Sequence, residues 1–168
     1  MRLLSFCVAL LLLPAAFADD KPAAAGKKIT TKDGKVSATF PAQPTEKKGL
    51  NMVVFLHEGK DGKTALVLNQ GVLPKEVDLT DKDLVKKVLD GGREAGIRAI
   101  KGKLLTNKDL KLGKYPGQTF DAEVSIGIYR ARVYLTGKHM IQVVAIGSKE
   151  YVDGPEAKKF LDSLKLEE

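Results

Sequence analysis

From residue 36 onward the apolar side chains recur mainly with period two, in short runs broken by glycine, proline and aspartate. Val36, Ala38 and Phe40 alternate with Ser37 and Thr39, and Pro41 and Pro44 stop the run. Strict alternation predicts a strand at 36–40. A second strand is predicted at 50–58, around Met52, Val53, Val54, Phe55 and Leu56. Gly59-Lys60-Asp61-Gly62 supplies turn chemistry, because Gly and Asp tolerate the backbone angles of a tight turn. Residues 64–73 then return as the partner strand. Their run Ala65-Leu66-Val67-Leu68 lacks polar alternates, which predicts a strand covered on both faces.

Two segments carry helical spacing instead. Leu84, Val85, Val88 and Leu89 form a stripe. Thr80 with Asp83 fits a capping box at its start, and Gly91-Gly92 are placed to bend or fray the helix before Ala99. Ala157, Phe160, Leu161 and Leu164 form the second stripe, preceded by Pro155 and by Asp153 and Glu156 in capping-box spacing. Between the two helices, strands are predicted at 102–112, 118–124, 128–135 and 139–147. Phe120, Ala122, Val124, Ile126 and Ile128 are apolar at even positions, whereas Tyr129, Ala131, Val133 and Leu135 are apolar at odd ones. Side chains alternate faces along a strand, so this switch of parity requires a turn or bulge, placed at Ser125-Ile126-Gly127. Thr136-Gly137-Lys138 makes the next hairpin, and the short links imply an antiparallel meander. The fold class is α+β: a mostly antiparallel sheet of about six to seven strands covered by two main helices, an α/β/α sandwich.

The N-terminus changes the picture of where such a fold would work. Arg2 precedes an apolar run from Leu3 to Leu13, then Pro14, then the small-x-small triplet Ala16-Phe17-Ala18. That is the order of a secretory signal peptide, with cleavage expected after Ala18. The run is shorter than the about 20 apolar residues a membrane span needs, and no later segment reaches that length. The expected organisation is a signal peptide at 1–18, a disordered tail or linker at 19–34, and one α+β domain at 35–168. The expected location is periplasmic or extracellular, with no transmembrane segment after cleavage. Cys7, the only cysteine, would leave with the leader, so no disulfide and no thiolate ligand is expected in the mature chain. Its charge would stay basic, since the leader removes only Arg2 from a full-length +7. Export and the dispersal of the lysines along the sequence argue against nucleic acid as the partner. An anionic envelope polymer or a protein suits the charge better.

Catalytic and metal motifs are sparse. His57 and His139 are the two histidines, and neither has another at ligand spacing, so no metal is expected. Ser37, Ser125, Ser148 and Ser163 stand alone, without a Gly-x-Ser-x-Gly elbow. There is no Gly-x-x-x-x-Gly-Lys phosphate loop, and Gly91-Gly92 lie inside a helical pattern, so no nucleotide cofactor is expected. No tryptophan and few aromatics are present for base or sugar stacking. The best candidate site is an anion patch of Arg130, Arg132, Lys138 and His139. Two arginines on one strand face can hold a phosphate or carboxylate bidentately. The structural alternative is that Asp121 and Glu123, on the polar face of the neighbouring strand, pair with the two arginines.

Phe40-Pro41-x-x-Pro44 after an early strand, Tyr115-Pro116-Gly117 before the meander, Arg130-x-Arg132-x-Tyr134 leading into a Gly-Lys turn, and the closing Lys159-Phe160-Leu161-Asp162-Ser163-Leu164-Lys165-Leu166 resemble small exported bacterial proteins of unknown function. The arrangement is similar to the PsbP-like sandwich. That resemblance implies an antiparallel sheet between helical layers. It also implies a binding or assembly role rather than catalysis, as for the photosystem II extrinsic subunit and a nuclear Ran-binding protein. It transfers no site residue. The functional expectation is an exported, non-catalytic binding or assembly domain. The alternatives are a hydrolase of envelope polymers using an Asp/Glu pair, or an anion or lipid carrier centred on Arg130 and Arg132.

Overall fold

The structure, a computed structural model, describes residues 26–33 and 35–167. The expected leader, and the tail as far as Ala25, lie outside the described residues. Ten strands and three helices follow in the order β1 (Lys27–Thr30), β2 (Val36–Phe40), β3 (Thr45–Lys48), β4 (Met52–Glu58), β5 (Ala65–Val72), α1 (Lys82–Ala99), β6 (Lys103–Leu112), β7 (Tyr115–Val124), β8 (Gly127–Leu135), β9 (His139–Gly147), α2 (Lys149–Val152), α3 (Pro155–Asp162) and β10 (Lys165–Leu166).

A seven-stranded antiparallel sheet, ordered β3-β4-β5-β9-β8-β7-β6, forms the middle layer. A small sheet, β1-β2-β10, lies on one face together with α2 and α3. Helix α1 packs on the other face, over β7 and β8. The two cores follow strand parity. Leu66 and Leu68 of β5, with Ile141, Val143 and Ala145 of β9, meet Phe40 and Phe160. Val67 and Val144, with Ala131 and Val133 of β8, meet Val85 and Leu89 of α1. Leu66, Val67 and Leu68 are all buried, as expected of a strand sandwiched between layers.

The parity switch is a hairpin: Val124 pairs with Gly127, which has φ 132°. Asp61 closes the β4–β5 turn, its Oδ1 accepting from the backbone of Lys63 and Thr64 at 2.9 and 3.0 Å.

Several local expectations are corrected. Residues 19–34 do not form an unstructured tail throughout, because β1 pairs in full with β2, from Lys27 opposite Phe40 to Thr30 opposite Ser37. Its polar side chains carry no alternation; the edge of β2 dictates the pairing through the backbone. The cap of α1 is Asp81, whose carboxylate accepts from Leu84 N at 2.9 Å. Thr80 instead turns its hydroxyl to Asp78 at 2.7 Å. The helix runs unbroken through Gly91-Gly92. A Cβ on Gly92 would stand 2.8 Å from Met140 Cε, so the glycine lets α1 approach β9. Leu84, expected in the buried stripe, is 37% exposed. Asp153 does not cap the last helix: it ends α2, whose own cap is Ser148, and Gly154 with Pro155 starts α3. Tyr115-Pro116-Gly117, expected ahead of the strand at 118–124, is the start of β7 itself. A Cβ at Gly117 would lie 2.3 Å from Val133 O, so only glycine fits this close strand contact.

Candidate functional site

Arg130 and Arg132 stand two apart on β8 and so share the face that meets α2 and α3. Arg130 grips Asp121, its direct cross-strand partner on β7, through Nε to Oδ1 and Nη2 to Oδ2, both at 2.8 Å. Its third nitrogen, Nη1, reaches Asp153 Oδ1 at 2.9 Å. The fork is therefore filled by carboxylates from two elements. Asp121, then Asp153, push the guanidinium pKa further up against the opposing effect of burial. Lys149 and Arg130 in turn hold Asp153 below its ordinary range. Arg132 turns the other way: Nη2 pairs with Asp162 Oδ1 at 2.7 Å and Nη1 donates to Leu161 O at 3.0 Å. A cation at those last carbonyls of α3 also complements the negative end of the helix. The two arginines clamp α2 and α3 onto the sheet. The candidate carboxylate partners divide accordingly: Asp121 takes Arg130, whereas Glu123 is opposite Ile128 on β8 and Lys103 on β6.

The structure does not bring all four residues of the candidate patch together. Lys138 lies in the β8–β9 turn and His139 opens β9, opposite Val72 of β5. Arg130 is about 17 Å along β8 from Leu135, where that hairpin begins. The nearby carboxylate on the His139 side is Asp33, in the β1–β2 turn. Burial pushes Asp33 up, but hydrogen bonds from Thr31, Gln70 and the Lys35 backbone, with some help from His139, hold it lower.

A second polar cluster lies beneath α1. Asp90 Oδ1 accepts from Arg93 Nη1 at 2.7 Å and from Gln118 Nε2 at 2.8 Å, and Gln118 Oε1 accepts from the same Arg93 nitrogen at 2.8 Å. Lys86 Nζ reaches Asp90 Oδ2 at 2.8 Å from the solvent side. Hydrogen bonds from Lys86, then Gln118, hold Asp90 far below the usual carboxylate range, with Arg93 adding to the effect against burial. Gln118 is 1% exposed. This triangle was signalled in the sequence by a glutamine on the even, apolar parity of β7, and by Asp90 and Arg93 one helical turn apart.

These side chains are engaged mainly with one another, although Arg93 Nε is buried without a hydrogen-bond partner. Among the described residues, no three His, Cys, Asp or Glu side chains are close enough to hold a metal ion. An open groove of about 340 Å³ runs between the β6–β7 turn and β10, lined by Leu112, Tyr115, Leu164 and Leu166, with Glu167 its one carboxylate among the described residues. No helix among the described residues is long and apolar enough to cross a membrane.

No family model matches the chain, and no curated protein matches it. Among solved structures it is similar to the cyanobacterial PsbP (CyanoP) from Synechocystis sp. PCC 6803, with a TM-score of 0.59 and 12% identity over 90% of this chain and 98% of that one. At such identity the likeness concerns the backbone and no residue's role. The expected architecture is the one observed: this chain has the PsbP-like fold, a mostly antiparallel sheet between two covering layers.

Proposed function

We propose that this protein is an exported, non-catalytic domain that binds or helps assemble a partner. The observation that carries the reading is the fate of the strongly coupled polar groups. Arg130, Arg132, Asp90 and Arg93 are spent on fastening helices to the sheet. A hydrolase acting through two carboxylates needs them to converge on an accessible cleft in unlike environments, and among the described residues the open groove is lined by one carboxylate, Glu167. With both faces of the central strands covered, recognition falls to the exposed edge strands and the turns at either end. Export rests on the order of charge, apolar run and small-residue triplet within 1–18.

The test has two arms. N-terminal sequencing of protein from the producing cell should begin at Asp19. Crosslinking in the native envelope should identify a component that binds the purified protein saturably in isolation. A retained Met1, or confirmed turnover on envelope polymers together with no saturable partner, would end this reading.

A further inference from the structure

We propose that the end of the sandwich bearing the β1–β2, β3–β4, β6–β7 and β8–β9 turns docks on an anionic lipid surface, with Leu50 entering the apolar boundary. The inference deepens the binding reading above, on which it rests, by assigning a surface and a partner.

The topology gathers what the sequence disperses. The β3–β4, β8–β9 and β6–β7 hairpins all turn at the same end of the seven-stranded sheet, at its one edge, centre and other edge. Six strand intervals make that end about 29 Å wide. The β1–β2 turn joins it, because Asp33 accepts from Gln70 at the end of β5 at 2.9 Å. Each of the four turn regions carries a lysine: Lys32, Lys48, Lys114 and Lys138. Lys32 and Lys48 belong to different hairpins that share this end. Cations gathered on one surface favour an anionic partner. Among the described residues, four exposed carboxylates share this end: Asp33, held by Thr31 and Gln70; Glu46, paired with Lys48 at 3.3 Å; Glu76, near Gly137; and Glu167, in the groove beside Lys114. Lys35 in the β1–β2 turn, and Lys75 in the loop tied to Gly137 and Lys138, add to the four lysines and keep the balance positive.

Leu50 supplies the second half of the argument. It sits at the tip of the β3–β4 turn, which Gly49 N closes onto Met52 O at 2.8 Å, and it is 104% exposed. Turn tips favour Gly, Asn, Asp, Pro or Ser for local reasons that leucine does not share. The tip is braced rather than loose, since Asn51 O accepts from Val72 N at 2.8 Å, and Val72 beside it is itself 38% exposed. An aliphatic prong among lysines matches a lipid interface. The ammonium groups meet anionic headgroups while their stems and the leucine sink into the acyl boundary. A yielding lipid surface receives the Leu50 side chain without a preformed socket. A protein partner would need a matching socket for Leu50.

The experiment is co-sedimentation of protein isolated from the producing cell with two vesicle types, one of equimolar phosphatidylcholine and phosphatidylglycerol, the other of phosphatidylcholine alone. All variants carry the same N-terminus, and unchanged thermal midpoints show that they fold. Binding is expected to the anionic vesicles alone and to fall with added salt. Lys32→Gln and Lys48→Gln should each weaken it about fivefold, and Leu50→Ser about tenfold. Lys101→Gln and Lys103→Gln, at the opposite end, should leave it unchanged. Absence of binding to anionic vesicles overturns the lipid surface. Binding that survives Leu50→Ser while depending on the lysines overturns the insertion of Leu50, since it reports headgroup attraction alone. Either failure leaves the crosslinking test of the binding reading to be decided separately.

Discussion

Replacing Asp90 with alanine tests whether the triangle beneath α1 anchors that helix. The substitution strips Arg93 of its carboxylate while the arginine side chain stays 11% exposed. It also leaves Gln118 Nε2 without its partner in a residue that is 1% exposed. An unsatisfied buried amide costs about 1–3 kcal/mol. Orphaning a buried charge costs about 3–5 kcal/mol. Two features pull the total to the low end: Arg93 keeps Gln118 Oε1 as an acceptor, and the Asp90 side chain is 26% exposed. The outer pair with Lys86 is solvent-exposed and adds little. The expected loss is about 3 kcal/mol in urea unfolding at neutral pH, or a thermal midpoint lower by about 6–12 °C. Asp90→Ala with Arg93→Met should lose less than Asp90→Ala alone, because no buried charge is stranded.

The pH dependence has a definite sign. Asp90 titrates below its unfolded value. Its contribution is therefore fully present above the ordinary aspartate pKa of about 3.9 and fades as the pH falls from there toward its folded value. Asp90→Asn should flatten that part of the acid limb. A neutral-pH loss under about 0.5 kcal/mol for Asp90→Ala, the size of an ordinary surface change, would refute the anchoring argument. An acid limb unchanged in Asp90→Asn would do the same.

Three further outcomes follow from the geometry. Arg130→Lys keeps the charge but cannot span Asp121 and Asp153 with a planar fork, so urea unfolding should show a loss of about 1–2 kcal/mol; wild-type stability would mean the clamp contributes nothing. Gly91→Ala meets nothing within 4 Å and should raise stability by about 0.5–1 kcal/mol through helix propensity, whereas Gly92→Ala should gain less because its Cβ meets Met140; equal gains would contradict the close approach of α1 to β9. Gly117→Ala drives a Cβ into the Val133 carbonyl at 2.3 Å, so circular dichroism should show a destabilised or misfolded protein; a native-like melt would rule out that strand spacing.

How much of this was legible in the chain depends on whether a feature is written in side-chain periodicity. The central strands and α1 were legible because burial imposes a period of two or of 3.6 on their residues. The turn between β7 and β8 was legible because the pleat cannot change parity without one. Strands β1, β3 and β10 were not. Thr45-Glu46-Lys47-Lys48 is exposed at every position, and Lys165-Leu166 is too short for any period. Each is held by the backbone edge of its neighbour, so its own side chains record nothing. Helix boundaries slipped for a related reason. Thr80 and Asp81 are both competent caps, and Asp78 decides between them by taking the Thr80 hydroxyl.

The polar side chains obey a different logic, and it limits any site drawn from spacing. Arg130 and Arg132 looked like one anion seat because they are two residues apart. Their partners sit at 121, 153 and 162, on three different elements. Charge has no period; it is arranged by topology. An ion pair between a strand and the helices laid over it cannot be read until the layers are stacked. The same rule runs in the opposite direction for the lysines. Lys48, Lys114 and Lys138 look dispersed along the chain, yet antiparallel pairing sends their turns to one end of the seven-stranded sheet, and the Asp33–Gln70 hydrogen bond brings the turn of Lys32 to that end. A turn-borne residue is thus placed by the parity of its hairpin, not by its distance in sequence. Arginines adjacent on one strand can be divided between separate structural duties, while lysines far apart in the chain come to share one surface.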